Sequence, residues 1–274
     1  MHHETIGKAV ILARGLGTRM RRQDAEVTLA PEQEAVAQQG LKALVPVGRP
    51  FLDYVLTALA EAGYQDVCLV VAPDHTAIRD YYTRQAPPRR IRIHYAVQVE
   101  PRGTADAVIA AEGFVQQDSF LMINSDNYYP VEALRRMREG TGPAVALFEQ
   151  ETMLQQSNIP AERIRQFAVA QMNGAGGLTR ILEKPSEATL AALSRPLWIS
   201  MNCWRFRPTI FEACRRIGPS PRGEYEITDA VQYAIDRLGE QFQTILVQAP
   251  VLDLTCRKDI LPVQQRLSAL SVDY

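Results

Sequence analysis

Between residues 8 and 124, short apolar runs of strand length alternate with helix-patterned segments, and this alternation narrows the choice of fold more than any other feature of the chain. The runs are AVIL at 9–12, DVCLVVA at 66–72, IRIHYAV at 91–97 and SFLMIN at 119–124, with helices near 51–62, 74–84 and 103–113 between them. The pattern therefore predicts an α/β fold, a mainly parallel sheet covered by helices, with ligands outside the carboxyl ends of its strands.

From about residue 143 the pattern loosens. AVALFE, FAVAQM, the Asn173-Gly174 turn, LTRILEKP and WISMNCWRF read as a smaller mixed sheet that carries a second ligand. Pro208 opens a helix through Arg216, EITDAVQYAIDRL makes another with Thr228 as its N-cap, and a last helix covers 257–271.

The first strand breaks into Gly15-Leu16-Gly17-Thr18-Arg19. Two glycines one residue apart let the backbone take positive φ and bring its N–H groups close to an anion. Thr18 adds a hydroxyl, and the Arg19 guanidinium is a permanent cation whose fork can bridge two phosphate oxygens. Lys42, in GLKALVPVGRP, is a second cation just before another apolar segment. Taken alone, a G-x-G is an ordinary strand-to-helix turn. It is not a dinucleotide fingerprint, because Met20 stands in place of the third glycine, and no Walker-type G-K-[ST] occurs. Asp126 and Asp253 each end an apolar strand, where a carboxylate either caps a turn or takes a hard cation such as Mg²⁺.

Composition excludes several partners. Thirty basic side chains against thirty-one acidic ones leave a formal charge of −1, so there is no general drive toward nucleic acid or an anionic membrane. Any polyanion must be met by a local cluster of cations. Cys68, Cys203, Cys214 and Cys256 show neither C-x-x-C nor zinc-ligand spacing and read as reduced thiols. No signal peptide or membrane-length apolar run is present, so a cytoplasmic protein is expected.

LARGLGTRM followed by LKALVPV resembles the opening signature of the sugar-1-phosphate nucleotidyltransferases, roughly L-[AG]-[AG]-G-x-G-[TS]-R-[LM] and then a lysine before L-x-P-[VIL]. Further resemblances follow in the family's order: Gln98 five residues before Gly103-Thr104-Ala105, Asp126 after its strand, Glu183-Lys184-Pro185, the run from Pro219 to Asp229, and Asp253. The 219–229 run points to the glucose-1-phosphate thymidylyltransferase and uridylyltransferase branches. The resemblance implies a Rossmann-like nucleotidyltransferase core, helices on both faces, with a small inserted mixed sheet for the sugar. It implies a single domain over 1–274, its nucleotide-binding half at about 1–142 and its sugar-binding and C-terminal part at about 143–274.

The implied reaction joins a nucleoside triphosphate, UTP or dTTP favoured, to a hexose 1-phosphate with release of pyrophosphate. By resemblance, Arg19 and Lys42 are catalytic, and Leu12, Gly15, Gly17, Thr18, Gln98, Gly103 and Thr104 hold the nucleotide. Asp126 and Asp253 hold Mg²⁺, and Glu183, Lys184, Asn202 and Arg222 meet the sugar phosphate. The Gln98 amide is expected both to accept from a pyrimidine N3–H and to donate to O4. Alternatives are a non-catalytic binding protein of the same fold and a purine-nucleotide enzyme; a dehydrogenase lacks its third glycine. A homo-oligomer is left open, and no β-helix acyltransferase extension is expected.

Four departures stand out. Arg14 replaces a small residue, Ala168 a sugar-contacting glycine, and Cys203-Trp204 a small-Gly pair. Trp204 reads as a core ring in preference to a sugar platform. Residues 21–41 are longer than is usual and read as a surface insertion holding a short solvated helix, opened by Pro31 and closed by Gly40, with a flap over the nucleotide as the alternative.

Overall fold

The computed structural model describes residues 5–183 and 185–274. Four parallel strands form the nucleus: β1 (Lys8–Leu12), β2 (Asp66–Val71), β3 (Arg92–Val97) and β4 (Phe120–Asn124). A two-residue strand, β5 (Asn127–Tyr128), follows β4, and β6 (Ala144–Glu149) lies further along the sheet. The hairpin β7 (Val169–Met172) and β8 (Leu178–Leu182) precedes the long strand β9 (Trp198–Phe206). β10 (Gln243–Val247) and the short β11 (Leu252–Asp253) complete the set.

Nine of these strands share one sheet, ordered β10-β6-β9-β4-β1-β2-β3, with β7 and β8 attached through β9. β1 runs parallel to both β2 and β4, whereas β9 is antiparallel to β4, β6 and β7. The smaller mixed section is thus continuous with the main sheet, because nine-residue β9 is long enough to serve both.

Alternate residues of β1 serve two cores. Ala9 and Ile11 pack on one face with Leu52, Val55 and Leu59 of the helix Phe51–Ala62, which lies almost entirely inside the protein. Val10 packs on the other with Val108, Ile227 and Val231. Burial on both faces is why the central strands read as unbroken apolar runs. The edge strand β3, half exposed, is the one that carries Arg92 and His94.

Several boundaries differ from the sequence reading. Glu226, not Thr228, is the N-cap of the helix Ile227–Leu238. Its Ile227 N–H is satisfied by the Thr104 hydroxyl, 2.8 Å away and 123 residues distant in sequence, so no local cap is needed. The expected last helix splits into a 3₁₀ turn at Arg257–Asp259 and the helix Ile260–Leu267. The 21–41 segment does contain a helix, Pro31–Gln39, ended by Gly40 in the left-handed conformation. No helix among the described residues is long and apolar enough to cross a membrane.

Candidate active site

The carboxyl ends of β1, β2, β3 and β4 open into one cleft of about 460 Å³. Residues from the loop after each strand line it: Leu12 to Arg19, His75, Gln98 with Gly103 and Thr104, and Asn124 to Asp126. Gly40 to Ala43 close one wall.

Of the two loop glycines only Gly17 adopts positive φ, at 60°, which corrects the expectation for Gly15. A Cβ on Gly17 would collide with the backbone of Gly40, whereas one on Gly15 would meet nothing within 4 Å. Gly17 is therefore required by the fold, and Gly15 leaves room for a ligand to approach the backbone. The Gly17–Gly40 contact ties the loop to the end of the 21–41 segment. Arg21 reinforces it by donating to the Gln39 carbonyl at 2.8 Å. The buried Arg257 donates to Met20 O at 3.1 Å and to the Glu34 carboxylate at 2.9 Å. The insertion is thus clamped at both ends, and its Gly40 and Leu41 form part of the cleft itself.

Lys42 Nζ donates to Asp126 Oδ2 at 2.8 Å. Burial works against its charge, but the carboxylates of Asp126 and Asp253 outweigh that, so its pKa lies above the ordinary lysine value and it remains a cation. Asp253 reaches Asp126 because β11 pairs antiparallel with β5, placing Asp253 opposite Asn127, and Leu254 N donates to Asp126 O at 2.8 Å. Burial, and then the neighbouring Asp126 carboxylate, push the Asp253 carboxyl up to about 6, with Arg163 opposing.

The supports of Asp253 were not read from the sequence. Arg163 donates to its Oδ1 at 2.9 Å, Asn127 to its Oδ2 at 3.1 Å, and Asn158 brackets its backbone through both N–H and C=O at 2.9 and 2.8 Å. Arg163 also meets Asp259 at 3.4 Å, whose carboxylate accepts from Thr255 N and Cys256 N. In the sequence, Arg163 sits in AERIR, where nothing separates it from a solvated helical turn. Among the described residues no group of three or more His, Cys, Asp or Glu could hold a metal. Two adjacent carboxylates fit an ion that draws its other ligands from phosphate and water, as Mg²⁺ does.

At the far end of the cleft, Gln98 is 4% exposed. Its Nε2 donates to Gly103 O at 3.0 Å and to Asp106 Oδ2 at 2.8 Å. Both amide hydrogens are thereby used inside the protein, so the expected donation to a base O4 does not survive; only acceptance by Oε1 does. Gly103 has φ 120° and packs so closely on the Tyr225 backbone that a Cβ would collide with it. Ala105 N donates to Tyr225 O and Tyr225 N to Arg102 O, at 2.9 and 2.8 Å, so this loop is stitched to the 224–227 segment. Arg14 lies in the cleft wall and reaches toward Val99 O at 3.4 Å, beside Gln98.

The residues expected to meet the sugar are less gathered. None of Glu183, Asn202 and Arg222 lines the cleft, and Lys184 lies outside the described residues. Arg222 pairs with Glu226 at 2.7 Å. Burial raises the Glu226 pKa, and the Glu224 and Glu183 charges add to the rise, which puts Glu183 in the same acidic neighbourhood. Glu224 does line the cleft, although the sequence reading did not single it out. Asn202 has φ 55° where β9 shifts register against β6, and its Oδ1 accepts from the Trp204 indole at 3.3 Å. Trp204 is fully buried and stacked on Phe206 at 5.8 Å, a core ring as expected.

A Rossmann-like sheet with a glycine loop, two cations and two carboxylates at its strand ends defines a nucleotidyltransferase architecture. The profile of the nucleotidyl transferase family matches residues 8–249, and the chain belongs to that family. It is 28% identical over 264 residues to a UTP–glucose-1-phosphate uridylyltransferase of Haloferax volcanii, covering 95% of this chain and 96% of that one. It is 31% identical to a glucose-1-phosphate thymidylyltransferase of Streptomyces antibioticus, covering 94% of this chain but 65% of that protein. In fold it is similar to a UDP-glucose pyrophosphorylase solved with UDP-glucose, with TM-score 0.74 at 18% identity over 96% of this chain and 98% of the other. The protein is a nucleotidyltransferase enzyme of the sugar-1-phosphate uridylyl- and thymidylyltransferase type.

Proposed function

We propose that this enzyme joins UTP or dTTP to a hexose 1-phosphate, releasing pyrophosphate and forming the nucleotide sugar. The observation that carries the reading is the Lys42–Asp126 pair, 2.8 Å apart beside Asp253, in the same cleft as the glycine loop and Arg19. The uridylyl and thymidylyl transfer named for its relatives supports a pyrimidine nucleotide.

In this assignment the triphosphate lies against the 13–17 backbone, where Gly15 leaves space and Thr18 offers its hydroxyl. Leu12 and Thr104 line the path to the base, which meets Gln98 and Gly103. Asp126 and Asp253 would hold Mg²⁺, which would supply positive charge against the phosphates. A sugar-phosphate oxygen attacks the α-phosphorus in line, the bond to the bridging oxygen breaks, and pyrophosphate leaves. Arg19 and Lys42 supply fixed positive charge where negative charge builds. The attacking phosphate is already ionised at neutral pH, so no side-chain base is needed. Glu183 accepts from sugar hydroxyls, Asn202 accepts from or donates to them, and Lys184 and Arg222 clamp the sugar phosphate. For Arg222 this means exchanging Glu226 for substrate, an inexpensive step for an ion pair at the surface.

The test is a matrix of nucleoside triphosphates against hexose 1-phosphates, with Mg²⁺ and pyrophosphatase, read as phosphate release. Release that requires both a pyrimidine triphosphate and one sugar phosphate supports the proposal. Release with purine triphosphates alone would replace the nucleotide assignment, and release without any sugar phosphate would remove the transfer to sugar.

A further inference from the structure

We propose that Asp106 is a positioning residue that sets which nucleobases the cleft accepts, by fixing the polarity of the Gln98 amide. The inference rests on the assignment of Gln98 to the base. A carboxamide has an oxygen face and a nitrogen face of nearly equal shape, and a free glutamine presents either one. Here Nε2 lies 3.0 Å from Gly103 O and 2.8 Å from Asp106 Oδ2. A carbonyl and a carboxylate are both acceptors, so only the NH₂ end can face them. A flipped amide would set Oε1 against two acceptor oxygens, one of them on a charged group.

The consequence is at the other end of the amide. With both hydrogens engaged, Gln98 offers the cleft only Oε1, to which no described group donates a hydrogen bond. A base that sets its Watson–Crick ring nitrogen on Gln98 must bring an N–H there. Uracil and thymine do so at N3, and guanine at N1. Cytosine N3 and adenine N1 carry a lone pair and would place acceptor against acceptor, at an amide that cannot turn. UTP and CTP are nearly the same size and differ at N3 and at position 4, so the comparison separates polarity from room in the pocket. Gly103 O contributes one neutral bond to the lock, whereas Asp106 contributes a charge-assisted one from the first turn of the helix Thr104–Ala110.

The experiment measures kcat/KM for UTP and CTP with the full chain, in the wild type and in Asp106→Ala, Asp106→Asn and Gln98→Ala. The wild type should favour UTP by about 100-fold or more, as sites built around a substrate hydrogen bond do. Asp106→Ala should cut that ratio about tenfold or more, with the change carried by KM. Asp106→Asn should lower the ratio too, because its own amide can present Nδ2 as readily as Oδ1 to a turned Gln98. Asp106→Leu, close in size, replaces the alanine variant if that one does not fold. A loss shared equally by UTP and CTP in Asp106→Ala, with Gln98→Ala collapsing the ratio, would make Asp106 merely structural and overturn the inference. A ratio unchanged in Gln98→Ala would instead sink the base assignment on which the inference rests.

Discussion

Arg163 and Asp253 lie 2.9 Å apart, and the same guanidinium reaches Asp259 at 3.4 Å, so one arginine joins the buried carboxylate at the end of β11 to the turn that follows it. Asp253 alone would be a poorly oriented acid next to a second one. With Arg163 on one oxygen and Asn127 on the other it is held in a single attitude.

Removing that hold should weaken metal binding. For Arg163→Ala the expected loss is about 10- to 100-fold in divalent-cation affinity, the usual effect of deleting a group that orients a ligand. Titration calorimetry with Mn²⁺ checks this directly, and Arg163→Lys should recover part of the loss. An unchanged affinity with only a lower melting temperature would make Arg163 a structural tie.

Gly17→Ala and Gly15→Ala should part company. At Gly17 the new methyl collides with the Gly40 backbone, at a φ of 60° that costs about 1–2 kcal/mol by itself. We expect a fall of more than about 2 kcal/mol in unfolding free energy there. At Gly15 nothing lies within 4 Å, so stability should hold while nucleotide affinity drops. Urea unfolding and nucleotide titration of the two variants separate the effects.

In metal-free buffer, stability should fall as pH rises from about 4 to about 6. The Asp253 carboxyl is pushed up to about 6 by burial and by Asp126, against an ordinary value of 3.8. Through that window the folded protein holds more protons than the unfolded chain, and the difference is lost as pH passes the folded value. Denaturation midpoints in EDTA measure the slope, and Asp253→Asn should flatten it. A slope unchanged by that substitution would place the titrating group elsewhere.

The parts of this structure that were legible in the sequence are those governed by local pattern. β1, β2 and β4 announce themselves because burial on both faces demands unbroken apolar runs. The helix Phe51–Ala62 and the helix between Pro31 and Gly40 are bounded by the residues that begin and end them. What escaped depends on partners far away in the chain. Thr228 has the chemistry of a cap, but the N–H ahead of it is satisfied by Thr104 from another loop. Gly15 and Gly17 look equivalent until Gly40 closes on only one of them. Arg163 and Asp106 are ordinary surface charges in the sequence, and only folding brings them to Asp253 and Gln98. Arg14, likewise, gives no sign in the sequence of whether it faces solvent or the cleft.

The most direct test of the account is the rate of product formation by Lys42→Ala in a single turnover, with UTP, Mg²⁺ and the accepted sugar 1-phosphate all saturating. If Lys42 stabilises the charge that builds during attack, the rate should fall about 100-fold or more while nucleotide and sugar-phosphate affinities change far less. A Lys42→Ala rate equal to that of the wild type would contradict the assignment of the Lys42–Asp126 pair to the chemistry of transfer.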